Sequence, residues 1–333
     1  ESAALFDLLG HLGLGPSAAA KLEAGAGEAA SLASFASVAW DARTQVAKAR
    51  LALAAIRARR QAVLVLADEA SSDLGRIEIL QRTGRVGLAP ARAAHGMVAA
   101  LERRASVLAE MESVARAVLA RAAGMTPDDP ALEQPGAELL LHLSEGPLPA
   151  EPTGEGELRH PSLTEAHLEV ALREARVRSA AAASWPGIGV GPHLSLPSGG
   201  LRDTIRVGGL FQVTLPLPSS WRGIMESRLE LRAAAVEGYV DALVDLRSRA
   251  RDAETRALEI QGRSGFTAAV HHAAEDAWIS ARAGFRVGRV DLNLWIQALE
   301  RQGNAITMPI DDLEALALAA LDLEWAAGPE AAR

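Results

Sequence analysis

A regular apolar seam in the second half of the sequence restricts the fold more than any other feature. From Met225 to Ile260, apolar residues recur at alternating steps of four and three, with Arg232 as the one exception among eleven positions. Such a heptad pattern is typical of a coiled coil. It predicts a helix over about residues 224–285, about 90 Å long at 1.5 Å per residue, and a second helix over about 292–327. Helices of this length favour a tube or a rod over a compact enzyme core.

Several landmarks recur in the same order in the two halves of the chain. They are Gly-x-Gly-Pro at 13–16 and 189–192, Trp40 and Trp221, Arg-Val-Gly at 85–87 and 286–288, and the helix-ending Gly124 and Gly328. This order predicts an internal duplication. We expect a first structural repeat over residues 1–124, a proline-rich connector over 125–160 and a second repeat over 161–333. The first residue is Glu1 and not Met, which suggests a processed or truncated chain.

Alternation of residue type predicts the strands. Between 187 and 217, apolar residues alternate with small or polar ones on both sides of a central charged turn. This is the pattern of a β-hairpin with arms of about 10–11 residues, which suits tilted strands that cross a bilayer. A fainter alternation predicts another hairpin at about 13–40. The helical hairpins then occupy about 41–124 and 224–328.

Tryptophans mark the helix-proximal ends of these predicted strands: Trp40, Trp185 and Trp221. Interfacial tryptophans commonly anchor membrane spans, so we interpret these three as membrane-interface anchors. The alternative is a soluble two-stranded hairpin whose tryptophans belong to a core. The interval from Trp40 to Gly87 is 20 residues shorter than that from Trp221 to Gly288. If the long helices after Trp40 and Trp221 start at the same level of the membrane, the tip of the first should fall about 30 Å short of the tip of the second.

Composition excludes several classes of function. The chain has 42 acidic and 34 basic side chains and a net charge of −8, so it lacks the basic surface that nucleic-acid binding needs. It has no cysteine, which rules out disulfides, thiol chemistry and zinc–thiolate sites. Adjacent His271 and His272 point about 100° apart on a helix, and we predict that they do not chelate together. We find no catalytic constellation, metal site or cofactor motif, and we expect a protein that is not an enzyme.

Short motifs at the predicted element boundaries carry a family resemblance. They are His-Pro-Ser-Leu at 160–163, Ser-Trp-Pro-Gly-Ile at 184–188, Leu-Pro-Leu-Pro at 215–218, Phe-Arg-Val-Gly-Arg-Val-Asp-Leu at 285–292 and Val-Gly-Leu at 86–88. In this order they resemble TolC-like outer-membrane efflux proteins, in particular the heavy-metal-efflux type of outer membrane factor. The resemblance covers nearly the whole chain.

The resemblance implies a mainly α fold with β-hairpins. A tandem repeat of long coiled-coil helices and two β-hairpins would form, in a homotrimer, a 12-stranded barrel and a periplasmic helical tunnel. The implied function is the outer-membrane exit duct of a tripartite efflux or type I secretion system, a passive conduit for small molecules, metal ions or proteins. The implied partners are outer-membrane lipid, a periplasmic adaptor protein and an inner-membrane RND or ABC transporter.

The same resemblance assigns roles to the helical tips. Adaptor docking falls on Val86, Gly87, Leu88, Val287, Gly288 and Arg289. The family often has an acidic residue where this chain has Leu294, which leaves Asp291 as the nearest possible pore gate. The alternative for Asp291 is an N-cap of the helix that begins at Leu292. The alternative function is a non-conducting, elongated coiled-coil scaffold subunit of an envelope complex.

Overall fold

The fold is mainly helical. The computed structural model describes residues 16–133, 160–183, 187–195, 206–214 and 218–329. In chain order the elements are α1 Pro16–Arg82, α2 Leu88–Ala123, a 3-10 turn Pro130–Glu133, α3 Pro161–Ala183, β1 Gly187–Ser195, β2 Arg206–Thr214, α4 Pro218–Arg286, α5 Leu292–Ala305 and α6 Met308–Ala327. Among these residues no helix is both long and apolar enough to cross a membrane.

The described residues form two compact units. The first draws on Glu1–Val38 and Leu158–Leu246, and the second on Ala39–Glu157 and Arg247–Arg333. Helices α1 and α4 therefore contribute to both units, whereas α2, α5 and α6 belong to the second. Residues 134–159 of the predicted connector lie outside the described residues.

The predicted β-hairpin at about 13–40 is wrong, because the backbone is helical from Pro16 onward. Ten of the 24 residues from 17 to 40 are alanine, and Val38 is the one β-branched residue among them. Alanine is the strongest helix former, whereas β-branched residues favour strands. Alanine fits either face of a helix or of a strand. Its alternation with other residues therefore did not distinguish a strand from a helix. Pro16 suits the first helical turn, where its missing N–H costs nothing.

The predicted shortfall of the first long helix is also wrong. Helix α1 has 67 residues and α4 has 69. The alignment of the two halves by sequence pairs Trp40 with Trp221. In the structure Trp40 lies well inside α1, whereas Trp221 lies in the first turn of α4. The matching starts are Pro16 and Pro218, each followed by serine.

Strands β1 and β2 lie within the predicted hairpin at 187–217. They pair antiparallel in a two-stranded sheet, with Gly187 opposite Thr214 and Ser195 opposite Arg206. Each strand has nine residues. The residues between them, including the predicted turn, are outside the described part of the chain.

In the first unit, ion pairs and apolar contacts join α1, α3 and α4. Arg176 of α3 lies 3.4 Å from Glu23 of α1, and Arg232 of α4 lies 2.9 Å from Glu174 of α3. Gly27 of α1 lies close to the buried Leu172, since a β-carbon there would be 3.9 Å from its Cδ1 atom. The heptad exception Arg232 is therefore an ion-pairing position.

The C-terminal part of the predicted seam is a packing surface. Leu246 and the alanines at 250, 253 and 257 are 0–1% exposed, whereas Leu229 and Val236, near the start of the seam, are exposed. Small side chains at these positions let neighbouring helices approach closely. The predicted single helix over 292–327 is instead two, α5 and α6. Pro309 has no N–H and clashes with the carbonyl four residues earlier, so the helix breaks before it.

A charged group joins α1 to α2 in the second unit. Arg57 Nε and Arg60 Nη1 each donate to a different oxygen of Glu112 at 2.9 Å. Burial alone would raise the pKa of Glu112, but the hydrogen bonds from Arg57 and Arg60 outweigh it and hold the pKa below its usual value.

We expect Glu112→Gln to destabilise the protein in a pH-dependent way. The folded-state pKa is lowered, so the ionised carboxylate stabilises the fold fully above its unfolded-state pKa of about 4.3. That contribution is lost as the pH falls through the folded-state pKa. The free energy of unfolding should drop by about 1–2 kcal/mol at pH 7, and the difference should vanish in acid. Glu110→Gln, on the exposed side of the same helix, is the control for thermal unfolding at several pH values.

Candidate docking site at the helical tips

Two tight turns reverse the chain in the second unit. The first joins α1 to α2 and the second joins α4 to α5. Each contains a glycine with positive φ, Gly84 at 72° and Gly288 at 76°. A β-carbon at either glycine would have no neighbour within 4 Å, so backbone conformation alone requires glycine there.

The two turns have the same hydrogen-bond pattern. In the first, the N–H groups of Arg85 and Val86 both donate to the Leu80 carbonyl, at 2.9 and 3.2 Å. In the second, those of Arg289 and Val290 both donate to the Gly284 carbonyl, at 2.8 and 3.2 Å. Both are Schellman-like helix ends, in which the turn satisfies the last helical carbonyls.

This pattern corrects the alignment of the two halves. The equivalent stretches are Gly-Arg-Val at 84–86 and at 288–290, so Gly84 corresponds to Gly288. The sequence comparison had matched Arg-Val-Gly at 85–87 with 286–288, which is three residues out of register. Gly87 therefore corresponds to Asp291, since each precedes the following helix.

The predicted docking residues differ in exposure. Val86 is half-buried and packs against the apolar cluster beneath the turn. Leu88 and Val287 have 52% and 67% of their surfaces exposed. Gly87, Gly288 and Arg289 are exposed as well. The tips thus present two exposed apolar side chains, Leu88 on the first and Val287 on the second.

Asp291 caps α5. Its Oδ1 atom accepts a hydrogen bond from the Leu294 N–H at 2.9 Å, and its backbone is extended, as an N-cap requires. The structure therefore confirms the alternative role of Asp291 as an N-cap. Asp291 is also exposed, and its role as a pore gate stays a prediction.

The second turn folds unusually close to its own helix. A β-carbon on Gly284 would lie 2.4 Å from Cγ2 of Val290. No real β-carbon contact is that short, so Gly284 is needed for the approach of Val290. The first turn has Leu80 at the equivalent position.

A buried carboxylate lies beneath the second tip. Asp73 of α1 is 3% exposed and pairs with two arginines of α4, Arg286 at 2.7 Å and Arg282 at 3.2 Å. Trp295 of α5 also donates its indole N–H to Asp73, at 3.4 Å. One carboxylate therefore joins three helices.

Aromatic rings surround this ion group. Trp278 packs edge-on against Trp295, with ring centroids 5.4 Å apart, and Phe285 lies 6.0 Å from the same ring. The indole N–H of Trp278 donates to Glu69 at 2.9 Å. Because Asp73 is only 3% exposed, water screens its ion pairs little, which strengthens them. The sequence analysis missed this group because Asp73 lies more than 200 residues along the chain from each of its three partners, the two arginines and Trp295.

The predicted membrane anchors have different surroundings. Trp40 is buried, 7% exposed, and its indole N–H donates to the Trp325 carbonyl of α6 at 3.2 Å. It does not lie at a strand end, because the predicted first hairpin is helical. Trp221 is half-buried, and its indole nitrogen has no partner in the described part of the chain. Trp185 lies outside the described residues.

The prediction that His271 and His272 do not chelate together stays a prediction, but the structure places a third potential ligand beside them. One ligand atom from each histidine and one from Glu275 all lie within 4.8 Å of one another. Glu275, one turn further along α4, lies between the two histidines around the helix axis.

No protein-family model and no curated protein matches the sequence. Solved structures do match in fold. The outer-membrane channel OprN shares 16% identity at a TM-score of 0.77, over 92% of this chain and 70% of that one. The outer membrane protein VceC of Vibrio cholerae shares 21% at 0.76, over 95% and 76%. The open state of the MtrE outer membrane channel of Neisseria gonorrhoeae shares 17% at 0.77, over 93% and 71%. The predicted mainly helical fold, similar to that of outer-membrane channels, is thereby confirmed. The trimeric 12-stranded barrel stays a prediction.

We expect Asp73→Asn to lower the free energy of unfolding by roughly 3 kcal/mol, because it leaves two arginines and an indole around a neutral group. Asp68→Asn, on the exposed side of α1, is the matched control and should change little. Chemical denaturation of both variants measures the difference. Equal stabilities would show that the buried ion group is not a determinant of the fold.

We expect Gly284→Ala to disrupt the second turn and Val290→Ala to restore it in part. The added methyl group collides with Cγ2 of Val290, and Val290→Ala removes that atom. Hydrogen exchange at the Arg289 and Val290 amides should accelerate in Gly284→Ala and slow again in the double variant. Additive effects of the two substitutions would contradict the proposed collision.

Proposed function

We propose that this chain is a protomer of a trimeric outer-membrane channel and that the trimer is the passive exit duct of a tripartite efflux or type I secretion system. The observation that carries the proposal is the combination of two long helices ending in equivalent turns with one antiparallel hairpin, in the fold of known outer-membrane channels. No catalytic step enters this proposal.

The β-hairpin supports a membrane location. Strands β1 and β2 have nine residues each, close to the 9–11 that a tilted strand needs to cross a bilayer. A two-stranded sheet is marginal alone, and in lipid its edges must be paired. Pairing with other copies of the chain meets that need. A 12-stranded barrel from three copies takes four strands from each, two more than the described residues supply.

A second apolar stripe on α2 supports self-association. Leu101, Ala105 and Leu108 are buried within the chain. A separate stripe with heptad spacing is about half exposed or more: Val107 49%, Met111 49%, Val114 64% and Val118 53%. A helix with one buried face and one exposed heptad seam has a second surface for coiled-coil packing. We assign that surface to the neighbouring protomer of a homotrimer.

The exposed tips are the proposed docking surface for a periplasmic adaptor protein. Leu88 and Val287 would enter apolar pockets of the adaptor, and Arg85 and Arg289 beside them would contribute charge. The adaptor would link the duct to an inner-membrane RND or ABC transporter. Asp291 is the proposed pore-lining acid, with the cap as its structural role.

The scaffold alternative is favoured by one observation. The predicted first hairpin is helical, so the described residues supply one hairpin where the predicted barrel needs two. A non-conducting coiled-coil subunit would keep the helices and the trimer seam without a pore.

Conductance separates the two functions. The full-length protein should extract from outer membranes as a trimer and conduct ions in planar bilayers. A trimer without conductance would favour the scaffold. A monomer would refute both the trimer and the role of the α2 stripe.

We expect Val287→Glu to abolish export and crosslinking to the adaptor while trimer and conductance persist. The position is exposed and has negative φ, so the charge adds no backbone strain, unlike a substitution at Gly288. Val287→Thr, nearly isosteric and neutral, is the control and should export normally. Val114→Glu should instead lose the trimer. Loss of the trimer in Val287→Glu would contradict docking at the tip.

A further inference from the structure

A group of metal-binding side chains lies on α4 within the second unit. One ligand atom each from His271, His272 and Glu275 lies within 4.8 Å of the other two. Nδ1 of His272 lies 3.7 Å from Oε2 of Glu275. The two imidazole rings are 5.7 Å apart between centroids and inclined by 69°, so they do not stack face to face.

Helix geometry explains why the three side chains converge. At about 100° per residue, Glu275 lies about 40° from His271 and about 60° from His272, on opposite sides. The carboxylate therefore stands between the two histidines, one turn along the helix. An ion above this face can be reached by all three side chains without a change in the backbone.

The three ligand atoms would have to move only a short distance towards one another to bind an ion. Ligand atoms around a tetrahedral ion with bonds of about 2.0–2.1 Å are about 3.3 Å apart. The present separations exceed this by about 1.5 Å at most, which side-chain rotation can cover. His272 and Glu275 have side chains 73% and 45% exposed, so neighbouring atoms leave room for that rotation.

The charges along this stretch of α4 favour a cation. Between Arg263 and Arg282, α4 has no lysine or arginine, while Glu275 and Asp276 add two carboxylates. Two other carboxylates of this unit pair with arginine: Glu112 with Arg57 and Asp73 with Arg286. Glu275 instead faces the imidazole of His272, which is a metal ligand in its neutral form.

We propose that His271, His272 and Glu275 bind one divalent transition-metal ion per chain. Two imidazole nitrogens and one carboxylate oxygen form a donor set that suits Zn²⁺, Cu²⁺ or Ni²⁺, whereas Mg²⁺ and Ca²⁺ prefer oxygen donors alone. Water would complete the coordination. The proposal does not depend on the channel function, since a scaffold with the same helix would have the same site.

Calorimetric titration of the full-length protein with zinc chloride tests the site. We expect one zinc ion per chain, and no comparable binding of magnesium. Joint replacement His271→Ala/His272→Ala should abolish that stoichiometric site, and Glu275→Gln should weaken it at least about tenfold. Zinc should also raise the Tm of the native protein, because it binds the folded helix better than the unfolded chain.

A matched histidine control makes the result specific. His95 lies 3.9 Å from Glu78 on the other helical hairpin of the same unit, and His95→Ala should leave zinc binding unchanged. The proposal is overturned if the native protein binds no zinc, or if the double histidine variant retains the site with the same affinity. Loss of binding in His95→Ala would place the ion elsewhere and overturn it as well.

Discussion

The tip region depends on the interactions of one buried carboxylate, that of Asp73. It is almost fully buried, yet it pairs with Arg282 and Arg286 of α4 and accepts from Trp295 of α5. A buried charge is tolerated only when it is paired and hydrogen-bonded, so α1, α4 and α5 must meet at this point. The glycine turn sets the shape of the chain reversal, and the ion group sets where the reversing helices pack.

This arrangement separates residues that hold the tip from residues that can bind a partner. Val86 and its counterpart Val290 are half-buried and close their turns against the helices below. Leu88 and Val287 take no part in that packing and remain exposed. Substitutions at these two exposed positions can therefore change recognition with little cost to the fold, which suits the proposed docking surface.

The sequence predicted the long helices, the hairpin at 187–217 and the two tips, because heptad spacing and strand alternation are local patterns. It failed where local patterns were ambiguous. Alanine-rich residues 17–40 satisfy a period of two and a helix equally, and helix propensity decided the outcome. The repeat register failed because Arg-Val-Gly and Gly-Arg-Val overlap at both tips. The positive φ of Gly84 and Gly288 resolves that choice, and φ is not visible in a sequence.

The parts of the site that could not be predicted depend on how helices pair. Asp73 and Arg282 are 209 residues apart, and nothing local shows that their faces meet. His271, His272 and Glu275 are different, since one helix sets their spacing and the i,i+3 and i,i+4 relation was available from the sequence. The prediction for the two histidines left out Glu275, which lies between them around the helix axis. A third ligand can therefore make a cluster out of two side chains that diverge on a helix.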